Sequence, residues 1–125
     1  MPTFARRNAG CKNLMESRLI YIANKKMRAN ITFDESPHAG WLYFGAQPEV
    51  NIEFVQHTIN QHFKEKILYI AHNRNDSTST TGQNVIEEIK DIIGRDNFSI
   101  WNTTFTKVID FNEIGVLRCG RKSDG

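Results

Sequence analysis

A chain of 125 residues is the size of one domain and can bury a sizeable core without metal or disulfide support. Its 16 basic and 14 acidic residues leave a net charge of +2, too small an excess for sequence-independent phosphate binding, so nucleic acid is not an expected partner. No apolar run approaches the roughly 18 residues of a membrane span and no signal-like start is present, so the expected setting is the cytoplasm, with no membrane partner.

In chain order, "MPTFARRNAGCKNL" has no sustained hydrophobic period and reads as a loose leader over 1–14, ahead of a single domain over 15–122. The run "LIYI" at 19–22 fits a short buried strand slightly better than a helical stripe through Met15, Leu19, Ile22 and Met27. "NITFDE" is a second strand, "DESPHAG" a turn carrying Pro37 and Gly40, and "WLYFGA" a third strand. Alternation along that third strand puts Trp41 and Tyr43 on one face, Leu42 and Phe44 on the other.

A helix follows from Pro48 and Glu49 in its first turn, with Ile52, Val55, Ile59 and Phe63 as its apolar face. "KILYIAH" predicts a strand buried on both faces, "NRNDSTSTTGQN" a polar loop, and Val85, Ile86, Ile89, Ile92 and Ile93 a second helix stopped by Gly94. "FSIW" and the β-branched stretch Thr103 to Phe111 then predict strands. Asn112 and Glu113 turn the chain into "IGVLRC" as a C-terminal hairpin whose outer edge could pair with a second copy. Only one face of the strand at 104–111 is expected to be buried, so Phe105 and Ile109 should be sensitive to substitution, Thr106 and Asp110 tolerant. The order implies an α+β, two-layer sandwich: two helices packed on one face of a mixed or mainly antiparallel sheet with a C-terminal β-hairpin.

Chemistry-bearing patterns are sparse. His57 and His62 stand five apart on a helix, where a shared metal needs three or four, and Cys11 and Cys119 form no CxxC and read as a reduced pair, so no metal site is expected. The carboxylates occur in adjacent pairs, but Glu87 and Glu88 suit a helix start and no spacing marks a catalytic cleft, so no catalytic residue and no cofactor are expected. The polar loop 72–84 lacks a phosphate-loop signature, yet Asn73, Arg74, Ser79, Thr81 and Gly82 before a helix could hold an anion. Ser79, Thr80 or Thr81 capping that helix is the plainer role.

Trp41, Tyr43 and Trp101, with Arg118 and Arg121, are the residue types in which interface energy concentrates, and they are the candidate partner-binding set. By elimination, the sequence favours a small non-enzymatic binding protein, an inhibitor or immunity-type protein that occludes a partner protein such as a toxin or enzyme. Its richness in Asn, Ile and Lys fits a bacterial or phage gene. The alternatives are an anion- or nucleotide-binding domain using the polar loop and a homo-oligomeric structural subunit.

Overall fold

The computed structural model describes residues 16–35 and 40–123. The leader expected over 1–14, Cys11 within it, and Pro37 of the expected turn lie outside the described residues. The elements are α1 (Ser17–Met27), a single 3₁₀ turn (Arg28–Asn30), β1 (Ile31–Phe33), β2 (Leu42–Tyr43), α2 (Ile52–His62), β3 (Ile67–Ala71), β4 (Thr78–Thr81), α3 (Val85–Ile89), β5 (Phe98–Asn102), β6 (Lys107–Asn112) and β7 (Val116–Lys122).

The strands form one sheet in the order β1-β7-β6-β5-β3-β4, antiparallel at every pairing, with β2 joined to β7 beside β1. The α+β sandwich is as expected: Val55 and Ile59 of α2 and Val85 and Ile89 of α3 share one core with Leu68, Ile70, Ile100, Ile109 and Leu117. These sheet residues occupy alternate positions, as one face of a pleated sheet requires. The strand β3 is buried on both faces, as its unbroken apolar run implies.

The segment at 19–22 is a helix and not the strand favoured from sequence. Its working stripe is Ile20, Ala23 and Met27, which pack with Tyr69, Ala71, Trp101, Phe105 and Val108 on the opposite face of the sheet, while Leu19 and Ile22 are partly exposed. Four consecutive apolar residues conceal a helical period because two of them face solvent. As α1 covers this second face, the strand β6 is buried on both sides from Val108 to Phe111, and Asp110 is not the tolerant surface position expected.

Four boundaries also move, one being the end of α3 at Ile89, so that Ile92 and Ile93 pack on the core from the turns around Gly94. The α2 helix starts at Ile52 because the Asn51 side chain accepts the Phe54 amide at 3.1 Å, which leaves Pro48 and Glu49 in the preceding turn. A third of the predicted polar loop is strand: Thr78 to Thr81 pair with Ile70 to Ile67. Phe105 lies in the turn between β5 and β6 at φ 56°, packing on Trp101 and Tyr69 from outside the strand expected at 104–111. The hairpin turn itself forms as expected, with Gly115 at φ 97° and the Asn112 side chain accepting the Ile114 amide. The outer side of β7, however, is covered by β1 and β2, so the C-terminal hairpin offers no free edge there.

Candidate functional site

Ala71, Ser99, Asp110 and Arg118 are paired in succession across β3, β5, β6 and β7. Cross-strand partners lie side by side on one face, so these four make a row running across the sheet. The α1 helix covers Tyr69, Trp101 and Val108 on the same strands but leaves this row as the floor of a cleft of about 310 Å³. Asn24 and Arg28, at the end of α1 and in the 3₁₀ turn, form one wall, and Trp41 and His72 line it as well.

Asp110 is the centre of the cleft's electrostatics and is only 7% exposed. Both of its oxygens are engaged by the Arg28 guanidinium, Nη1 donating to Oδ1 at 2.9 Å and Nη2 to Oδ2, and the Ser99 hydroxyl donates to Oδ1 at 2.6 Å. A two-pronged pair of this kind fixes both partners in one geometry. Arg28 Nη1 also donates to Asn24 Oδ1 and to Ser99 Oγ, both at 3.3 Å, so this nitrogen is engaged within the protein.

Arg118 is differently placed. Its guanidinium carbon lies 4.0 Å from the centre of the Phe33 ring and 4.5 Å from that of Trp41, a packing that immobilises the cation on aromatic faces. Its Nη2 stands 3.8 Å from Asp110 Oδ2, and its Nε is buried with no hydrogen-bond partner among the described residues. With two arginines against one carboxylate, the three charged side chains lining the cleft carry a net +1.

At the other end of the cleft, His72 Nε2 is 3.1 Å from Asp96 Oδ2. The opposite face of the sheet carries a second hollow, where Cys119 and His62 approach Asp34 and Arg121. Burial pushes the Cys119 thiol up to about 11, so it is a protonated thiol and not a nucleophile at neutral pH. Burial likewise lowers the pKa of His62, whose Nε2 donates to the Gly120 carbonyl at 2.9 Å. Among the described residues no three His, Cys, Asp or Glu side chains converge on a point that could hold a metal ion.

The structure divides the predicted partner-binding set. Trp41 and Arg118 meet at the cleft, and Tyr43, opposite Val116 on β7, stands on the same face and is 74% exposed. Arg121 is three residues from Arg118 and therefore points to the other face, where it pairs with Asp34 at 3.0 Å. Trp101 is fully buried beneath α1, its indole N–H donating to Asn24 Oδ1 at 2.7 Å, and presents nothing to a partner.

The anion-binding set is also separated. Asn73 folds back to accept the Asn75 and Asp76 amides, while Arg74 is exposed and its carbonyl accepts from Ser17. Ser79 and Thr81 lie on β4, and Thr81 Oγ1 accepts the Asn84 amide at 3.2 Å before α3. The four extended residues of β4 put on the order of 13 Å between Arg74 and Gly82, so these residues do not form one cradle.

Arg28, Ser99 and Asp110 were not singled out from sequence as site residues. Their signal is one charged residue, Asp110, inside an otherwise apolar β6 run, and it becomes readable only once α1 is known to cover that face. No family model, curated protein or solved structure matches the chain.

Proposed function

We propose that the protein is a non-enzymatic binding protein, an inhibitor or immunity-type molecule acting in the cytoplasm, that occludes a partner protein with the sheet face bearing Trp41, Tyr43 and Arg118. The observation that carries this reading is the position of Tyr43, 74% exposed beside the cleft. Ile114, 67% exposed, stands at the same end of β7, where the Phe44 amide donates to the Gly115 carbonyl. A protein that leaves a large aromatic and an isoleucine uncovered beside an immobilised arginine offers the combination in which interface energy concentrates. Pairing with β7 holds the Tyr43 backbone in place, which lowers the ordering cost of association.

The test uses the full chain immobilised as bait in extracts of its source cells, in parallel with Tyr43→Ala, Trp41→Ala and Arg121→Ala. Tyr43→Ala should weaken retention of the captured protein by about 2 kcal/mol, roughly thirtyfold, with an unchanged melting temperature. Arg121→Ala, on the far face, should retain it as the parent does. A captured protein lost with Arg121→Ala and kept with Tyr43→Ala would contradict the reading.

A further inference from the structure

We propose that the cleft beside this face is a receptor for a single carboxylate: the acidic side chain of an aspartate or glutamate on the partner protein, held by Arg118. The inference rests on the protein-binding reading and adds to it the chemistry of the anchoring group.

Three observations converge on a carboxylate. The first is the state of the arginines: Arg28 is paired with Asp110, Ser99 and Asn24, and Arg121 with Asp34, whereas Arg118 is fixed against Phe33 and Trp41 and, among the described residues, has no carboxylate oxygen nearer its Nη2 than the 3.8 Å contact to Asp110. An immobilised guanidinium whose hydrogen-bonding capacity is unspent loses little side-chain entropy when an oxyanion arrives. The second is charge. Arg28, Arg118 and Asp110 sum to +1, which one monoanion neutralises, while a dianionic phosphate would leave an excess negative charge. The third is setting: Asp110 is held on both oxygens by Arg28 and on one by Ser99, so it stays in place as the floor beside Arg118, the donor proposed to meet an incoming group. A space of about 310 Å³, with Trp41 among its lining residues, admits a side-chain head group.

The experiment follows the Trp41 indole N–H resonance of the full chain by NMR, with the Trp101 indole, buried and bonded to Asn24, as an internal check on folding. The probes are acetate, N-acetylglutamate N-methylamide, which presents one side-chain carboxylate, and inorganic phosphate. Saturable shifts are expected for both carboxylates, with dissociation constants on the order of 10 mM, as befits one ion pair in isolation. Arg118→Gln should weaken them about tenfold, Arg118→Lys less, and Arg121→Gln by less than about twofold. Phosphate should bind more weakly than either carboxylate. Absence of a saturable carboxylate shift, tighter binding of phosphate, or equal sensitivity to Arg118 and Arg121 would overturn the proposal. If carboxylates fail while Tyr43→Ala still abolishes capture, this inference falls and the protein-binding reading stands. If carboxylates bind while capture is indifferent to Arg118→Gln, the site belongs to a free small carboxylate and the assignment to a partner side chain is wrong.

Discussion

Replacing Asp110 by alanine is expected to lower the unfolding free energy by about 3 kcal/mol, read from the urea midpoint with the slope unchanged. Removing the carboxylate strands the Arg28 guanidinium, which it binds through two nitrogens, and leaves the buried Ser99 hydroxyl without its acceptor. The cost of breaking a buried pair reaches about 5 kcal/mol where both partners are dry, but Arg28 remains 34% exposed and water recovers part of the loss. The double variant Arg28→Met with Asp110→Ala should be less destabilised than the sum of the single changes by about 1 kcal/mol or more, since neither charge is then left alone. Additivity within about 0.3 kcal/mol would mean that the two residues do not act as a unit.

Trp101→Ala is expected to be at least as damaging, at about 3–5 kcal/mol, because it empties the centre of the core beneath α1. The indole packs against Phe105 at a ring separation of 5.3 Å, and its N–H holds Asn24 of α1, so the substitution removes volume and also releases the helix. Tyr43→Ala, by contrast, should change stability by no more than about 0.5 kcal/mol. Chemical denaturation of the two variants side by side separates them: comparable, small losses would place Trp101 at the surface and contradict the arrangement of α1.

That contrast marks where the sequence was readable. The α2 and α3 stripes, the doubly buried β3 and the C-terminal hairpin could be read directly because their apolar periods match one buried face or an unbroken core run. The second face could not. In α1 the apolar residues at 19–22 are contiguous, two of them face solvent, and the buried stripe continues through Ala23, a residue with little hydrophobic signal. Once that helix is misread as a strand, the Trp101 side of the sheet becomes an apparent surface, Trp101 an apparent interface residue and Asp110 an apparent solvent-facing acid.

The candidate site inherits the same limit. Trp41, Tyr43 and Arg118 could be picked out as candidates because strand alternation and residue type are local properties, and the pairing of β2 with β7 puts all three on one face. Arg28, Ser99 and Asp110 come from segments as far as 82 residues apart, and only the sheet register joins them. Arg121 went the other way: three residues along β7 from Arg118, an odd number of steps along the pleat, it is turned to the opposite face.

The central claim is that function resides on the α1 side of the sheet, at Trp41, Tyr43 and Arg118. Hydrogen–deuterium exchange of the full chain, with and without the captured partner, tests it most directly. The account predicts added protection in peptides covering 41–44 and 112–118 and at the end of α1 near Arg28, with the outer surface of α2 unchanged. Protection confined to α2 and the turn at 63–66, on the opposite face, would contradict it.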